Sequence, residues 1–320
     1  MNTSSPRARP RIAITRGDPR GIGPEVADAA LRDPEVQAAA EWLQVGPGEG
    51  EGGPGEWLRV GRWSPGDGEA AAGLVAGEAI RLSVEMALRG EVDALVTAPI
   101  DKAAFRAGGW SFPGHTEMLQ ALTGAPAVAM MMCAERTVSG GPLRVVLATT
   151  HHPLREVPDL LSTGLFIEQA RLTDSALRDW WEIPSPSIAL CAVNPHASDG
   201  GLFGDEEARV QRPAVEALLA AGLRVSGPYP ADTVFLRAMR GEFDAVIAPY
   251  HDVGMAAFKT AAFGNGVNVT LGLPFPRTSP DHGTAHDIAG RGVADCSSMR
   301  EALLLAARLA GRFDTPTDRG

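Results

Sequence analysis

Residues 244–292 read DAVIAPYHDVGMAAFKTAAFGNGVNVTLGLPFPRTSPDHGTAHDIAGRG. The stretch opens with an apolar run, Ala245–Ala248, between Asp244 and Pro249, the pattern of a short strand buried on both faces. His251 and Asp252 follow where that strand ends, and Lys259 comes next. A second, β-branched segment at 267–273 carries Asn268 and leads through two prolines to Arg277. His282, Gly283 and Thr284 then stand where a helix is expected to begin. Imidazole, carboxylate, ammonium, amide and guanidinium groups thus leave strand ends within one region, the place where open α/β sheets bind ligands.

The same pattern recurs upstream. A strand at 143–149 ends in TTHHP and presents His151 and His152, and a strand at 187–193 ends in NPHASDGG with His196. Helical periodicity at 163–181, 206–221, 232–239 and 297–309 alternates with these strands, which implies an α/β fold with parallel strands. Parallel strands put His151, His196 and His251 at one edge of the sheet. A lone loop histidine is usually just a hydrogen-bonding residue. Three at equivalent strand ends suit a divalent metal, with three neutral imidazoles and one open position for a substrate oxygen.

Toward the N-terminus, the strand Arg11–Thr15 runs into GDPRGIGPE, where Pro24 and Glu25 suit a first helical turn. A strand, a glycine-rich turn and a helix start offer an anion or cofactor site. A plain connection with glycines for backbone geometry accounts for the loop as well, since it is neither GxGxxG nor a P-loop. Residues 46–68 are rich in Gly, Pro and Glu and read as a surface loop without lasting regular structure. After a helix at 71–88 and a strand at 93–98, TAPIDK leaves Asp101 and Lys102 beyond the strand end. FPGHTE sets His115 and Thr116 at the entry to another helix, with Thr116 a natural N-cap.

The bulk numbers exclude several classes. With 320 residues, 44% of them apolar, the chain can form one large domain or two ordinary ones. A net charge of -10 without a basic block argues against nucleic acid and anionic membranes as partners. No apolar run approaches the ~18 residues of a membrane helix, and the N-terminus lacks a signal-peptide pattern. Cys133, Cys191 and Cys296 are odd in number and lack metal-type spacing, so they read as core thiols in a reducing cytoplasm. The 29 basic residues are 27 arginines and only two lysines, Lys102 and Lys259. Arginine cannot serve where an ammonium must lose its proton, and both lysines lie in the motifs above, which favours a functional role for each.

GDPRGIGPE, TAPIDK, PGHTE, ATTHHPLR, NPHASDGGLFGDEE, GPYPADT, YHDVGMAAFK, GVNVTLGLPFPRTSPDHGTA and AGRG, in this order over most of the chain, resemble the family of 4-hydroxythreonine-4-phosphate dehydrogenases of pyridoxal phosphate biosynthesis. The resemblance implies a two-domain α/β/α sandwich similar to isopropylmalate and isocitrate dehydrogenases, without the GxGxxG motif. Residues 1–120 with 282–320 would form one domain and 121–281 the other, with the active site in the cleft between them. It implies NAD and a divalent metal as cofactors, zinc first, with magnesium or cobalt as alternatives. The family's metal ligands fall on His151, His196 and His251, and its substrate contacts on His115, Thr116, Lys259, Asn268 and Arg277. The segment DHGTAHDIAGRG looks like a nucleotide loop, with His282, Gly283, Thr284 and Asp287 as cofactor contacts. Asp287 would face the ribose hydroxyls and favour NAD over NADP.

The implied partners are a small phosphorylated hydroxy acid and a second copy of the chain, in a homodimer whose metal site takes ligands from both protomers. The implied reaction oxidises 4-phosphooxy-threonine, with decarboxylation to 3-amino-2-oxopropyl phosphate, and Lys102 or Asp252 moves the proton. Arg16, His152 and Val253 depart from the family pattern. Two related readings therefore stand beside it: a dehydrogenase of another phosphorylated hydroxy acid such as 4-phosphoerythronate, and one of an aromatic dihydrodiol. From another class, a phosphotransacetylase-like acyltransferase shares the general fold, but the three histidines and the nucleotide loop argue against it.

Overall fold

A computed structural model describes residues 9–48 and 54–311. The chain begins with β1 (Arg11–Thr15), whose apolar side chains are buried, and α1 (Gly23–Leu31), which has Pro24 and Glu25 in its first turn. Next come α2 (Pro34–Ala39), capped by the Asp33 carboxylate, then β2 (Glu41–Gly46), β3 (Glu56–Arg59), α3 (Gly68–Leu88) and β4 (Ala94–Thr97). The helices α4 (Lys102–Ala107) and α5 (His115–Thr123) lead to the antiparallel pair β5 (Ala129–Ala134) and β6 (Leu143–Leu147). Then follow α6 (Val157–Leu160), α7 (Thr163–Asp179), β7 (Ser187–Cys191), α8 (Arg212–Ala220), β8 (Arg224–Tyr229) and α9 (Ala231–Met239). Last are β9 (Ala245–Ala248), α10 (His251–Ala262), β10 (Val267–Leu271), β11 (Arg277–Pro280) and α11 (Ser297–Ala310).

The chain divides into two compact units, Met1–Pro126 with Leu273–Gly320, and Ala127–Gly272. In the first, the strands run β3-β2-β1-β4-β11, all parallel, and α3 and α11 pack against them. In the second the order is β10-β5-β6-β9-β7-β8; the pairs β10/β5 and β5/β6 are antiparallel and the rest parallel. Its core joins Met132, Leu143, Val145, Val246 and Phe258. This is the α/β class that the alternating pattern implied. Among the described residues no helix is long and apolar enough to cross a membrane.

Three expectations change. Residues 49–53 of the glycine-rich segment lie outside the described residues, but β3 forms within the rest of it. The reason is pairing: β2 supplies a ready ladder, with Gln44 opposite Trp57, and the Trp57 indole N–H donates to the Gly48 carbonyl at 2.9 Å. Arg16 strengthens the same corner. Its nearly buried guanidinium pairs with Asp28, donates to Gln44 Oε1 and lies 5.2 Å over the Trp57 ring.

Second, no helix begins at His282–Thr284; α11 starts only at Ser297, and 281–292 is a chain of turns. Its groups bond to distant partners, as in Ile22 N–H to the Thr284 carbonyl (2.8 Å) and Gly290 N–H to Glu25 Oε2 (2.9 Å), rather than four residues back. Third, Cys133 and Cys191 are core thiols, whereas Cys296 is half-buried just before α11.

Phe258 on α10 is fully buried in the second unit's core. Phe258→Ala should cost about 3–5 kcal/mol. Urea unfolding should show a lower midpoint at unchanged slope, and an unshifted midpoint would mean that α10 does not anchor this core.

Candidate functional site

In the second unit, β6 and β9 run parallel with Leu147 opposite Ala248. The pairing continues past both strand ends. Ala148 N–H donates to the Ala248 carbonyl at 2.9 Å, and the buried Thr149 hydroxyl donates to the Pro249 carbonyl at 2.8 Å. The two following segments are thereby held side by side, and the rings of His151 and His251 stand 5.5 Å apart between centroids. His251 opens α10, which lies close on the sheet because Gly254 has no side chain: a Cβ there would meet Leu147 Cδ2 at 2.6 Å. His251 Nδ1 pairs with Asp252 Oδ1 at 2.7 Å, and the rest of the Asp252 side chain is exposed. His152 is exposed, with its N–H turned to the Thr150 carbonyl.

β7 is the other parallel neighbour of β9, so His151, His251 and His196 do follow three adjacent parallel strands. His196 is nonetheless presented differently. Residues 196–200 all have left-handed backbone, with φ of 53° at His196, 54° at Ala197, 64° at Ser198, 42° at Asp199 and 69° at Gly200. For a non-glycine residue that conformation costs roughly 1–2 kcal/mol. Among the described residues no group of three or more His, Cys, Asp or Glu is gathered closely enough to hold a metal ion. The structure therefore brings His151 and His251 together, without His196 as a third member. Lys259 in the last turn of α10 and Asn268 on β10, opposite Met132, are both half-buried in this unit.

In the first unit, β4 and β11 lie parallel, with Arg277 opposite Leu95. Arg277 is 2% exposed, and its Nε and Nη2 donate to Thr97 Oγ1 at the end of β4. Burial pulls its guanidinium down to about 9, so it stays charged at neutral pH. Gly114 in extended backbone, and not Thr116, stands at the N-cap of α5, so His115 and Thr116 both fall in its first turn and no side chain caps it. His115 as a residue is half-buried, but its Nε2 is sealed from solvent and lacks a hydrogen-bond partner among the described residues. Desolvation first, then repulsion from Arg277 and Lys102, holds its pKa well below the usual imidazole range, which leaves the ring neutral. Lys102, exposed at the start of α4, brings Cε to 3.7 Å from where a Gly114 Cβ would lie. A buried cation, an ammonium, an unsatisfied imidazole nitrogen and the N–H groups of a helix start can together accept an anion.

The loop 281–292 rests on GDPRGIGPE in the same unit. His286, which the sequence did not single out, lies 3.4 Å from the Arg20 carbonyl through Nδ1 and 3.3 Å from Asp101 Oδ2 through Nε2. Arg20 pairs with Asp18 at 2.7 Å and reaches Asp101 at 3.6 Å. Asp101 also caps α4 by accepting from Ala104 N–H at 2.7 Å; that bond, more than His286 or Arg20, draws its carboxyl below the usual range. His282 Nδ1 faces the Gly283 carbonyl at 3.0 Å, Gly283 borders open space, and Asp287 is exposed. Thr97 was also missed; its only signal was its place in TAPIDK.

The model of the pyridoxal phosphate biosynthetic protein PdxA family matches residues 26–306. A 4-hydroxythreonine-4-phosphate dehydrogenase of Geobacter metallireducens is 41% identical over 335 residues, covering 95% of this chain and 97% of its own. The crystal structure of the enzyme of that name from Klebsiella pneumoniae superposes with a TM-score of 0.86 at 38% identity, covering 96% of this chain and 99% of that one. Isocitrate dehydrogenase from Methylococcus capsulatus shares the fold alone, with a TM-score of 0.50, 17% identity, and coverage of 92% of this chain and 83% of that one.

A neutral buried imidazole leaves a mark on stability. Its folded pKa is lowered, so below the ordinary value of about 6.5 the unfolded chain takes up a proton that the folded chain refuses. The contribution is therefore full above about pH 6.5 and declines as pH falls, by up to about 1.4 kcal/mol per pH unit. Urea unfolding between pH 7 and 5 should show a flatter profile for His115→Gln than for the parent, and identical slopes would exclude a lowered His115 pKa.

Proposed function

The chain belongs to the PdxA family, and on that footing we propose that it oxidises a phosphorylated hydroxy acid, 4-phosphooxy-threonine, with NAD and a divalent metal. The observation that carries the reading is the anion-accepting corner of Arg277, His115 and Lys102 at the start of α5. A guanidinium that has already lost its water gains more from an anion than a surface one does, and this one is fixed by Thr97 rather than free to swing. Thr116 offers a hydroxyl in the same turn, and the family resemblance adds Lys259 and Asn268 as further substrate contacts, an ammonium on α10 and an amide on β10. Lys102 or Asp252 takes the proton of the reacting hydroxyl as its carbon gives up hydride; both side chains are exposed and able to exchange that proton with water.

NAD, when bound, accepts the hydride. The donor set of the 281–292 loop fits it: Gly283 leaves room for close approach, and the exposed Asp287 carboxylate suits ribose hydroxyls and repels a 2′-phosphate. A divalent ion, when bound, supplies Lewis acidity toward the hydroxyl oxygen and, after oxidation, the charge sink that decarboxylation to 3-amino-2-oxopropyl phosphate requires. His151, His196 and His251 would hold it. One chain brings two of these imidazoles together and not three, so the set would be completed by a second copy, in the homodimer that the family resemblance implies.

NADH absorbance should rise when the protein meets 4-phosphooxy-threonine, NAD and zinc, fall on addition of a chelator and return with metal. Arg277→Ala should lower kcat/KM by roughly 100-fold, the usual scale for truncating one side of a buried charge pair. No turnover with this substrate, but turnover with 4-phosphoerythronate or a dihydrodiol, would move the protein to a neighbouring activity. Asp287→Ser should narrow the preference for NAD over NADP, and an unchanged ratio would place the nucleotide elsewhere.

A further inference from the structure

The left-handed run that presents His196 contains four consecutive non-glycine residues, a conformation that persists only where the surroundings over-determine it. One side chain grips the residues that lead into it. Glu207 is 0% exposed and belongs to a turn of π-helix, Glu207–Gln211, a rare geometry that is frequent at functional sites. Its Oε1 accepts from Val193 N–H at 2.9 Å and from Asn194 N–H at 2.6 Å, the two residues that carry the chain from β7 toward His196. Its Oε2 accepts from Asn194 Nδ2 at 3.0 Å, and the same amide nitrogen donates to Glu206 Oε2 at 2.6 Å. The Asn194 carbonyl in turn accepts from Ala197 N–H, and Ser198, itself buried, accepts from Phe203 N–H. From the same π turn, Gln211 Nε2 donates to the Cys191 carbonyl at 2.8 Å.

The geometry points to Glu207 as the positioning residue of the reaction site: its buried carboxylate fixes Val193 and Asn194 and thereby sets the left-handed loop that aims His196. Glu207 is closed to solvent and acts through the backbone of Val193 and Asn194 and the Asn194 amide. Two features support this beyond the hydrogen bonds. Gly204 closes the loop with φ +118°, and a Cβ there would stand 2.6 Å from Asn194 Nδ2 and 2.7 Å from Glu206 Oε2, so the chain gives way to the clamp. Among the described residues the carboxylate is also held by N–H donors and not by an arginine, which suits a device that shapes backbone rather than one that joins elements. The functional consequence rests on the reading of His196 as a metal ligand; the positional claim does not.

The test uses the full-length protein with its seven histidines labelled at the ring carbons, each signal assigned by single replacement. In Glu207→Ala the His196 signal should shift and broaden while those of His151 and His251 stay, and amide exchange of residues 196–201 should quicken by at least about tenfold. Glu207→Gln keeps an acceptor oxygen for the two backbone N–H groups but turns an NH2 toward Asn194, and should fall between parent and Ala. Zinc affinity, measured by chelator competition, should weaken roughly 10–100-fold in Glu207→Ala. If Glu207→Ala does not fold, Gly204→Ala presses on the same clamp without removing it and should move the His196 signal. An unmoved His196 signal with unchanged exchange, in whichever variant folds, overturns the proposal. A parent protein that takes up no zinc would sink the metal reading alone, because the ring signals and the exchange rates still decide what Glu207 does.

Discussion

The donation from the buried Thr149 hydroxyl to the Pro249 carbonyl is the contact on which the side-by-side placement of His151 and His251 depends. Parallel strands fix one another only along their ladder, and side chains beyond it ordinarily scatter. Here Ala148 N–H to the Ala248 carbonyl and then Thr149 to Pro249 carry the alignment two residues farther, up to the point where both segments turn. The bond is buried, so losing the hydroxyl would strand a buried carbonyl as well. Two imidazoles that are a hundred positions apart in sequence become neighbours through this extension of an ordinary ladder.

Charge in the first unit is arranged against the average of the chain. The net charge of -10 opposes an anionic ligand at long range, but at physiological salt carboxylates beyond roughly 8 Å are screened. That corner holds Arg277, kept charged despite burial, and His115, kept uncharged by desolvation and by Arg277. One desolvated cation thus settles the state of its neighbour. The site gains a hydrogen-bonding ring without accumulating a second buried charge.

The strands that end in histidine were legible because short apolar runs bounded by polar and proline residues report burial directly, and their parallel order followed from the alternation with helices. What escaped was whatever depends on a distant partner. β3 is an edge strand in a glycine-rich segment and exists because β2 offers it a ladder. The 281–292 loop has the composition of a helix start, but three of its hydrogen bonds join Thr284, His286 and Gly290 to Ile22, Arg20 and Glu25, and no local pattern contains that information. His286, with Asp101 and the Arg20 carbonyl, is hidden for the same reason, and Glu207 reads in sequence as one more acidic residue at the start of a helix. Local propensity and burial can be read along the chain; who satisfies a buried N–H cannot.

The division of the first unit between the two ends of the chain has a consequence for its biosynthesis. The second unit is one continuous stretch, Ala127–Gly272, and has everything it needs once the ribosome has passed it. The first has been waiting since its opening strands emerged, because β11 must slot beside β4 and the loop that rests on GDPRGIGPE is translated only after the second unit. Domains tend to fold as units and in order of emergence, and here that order is inverted: the part made first is completed last, with the edge of β4 open in the interval. An exposed strand edge is a template for wrong pairing, so nascent chains of this protein are most vulnerable between the release of β4 and the arrival of β11, a window in which chaperone protection matters most.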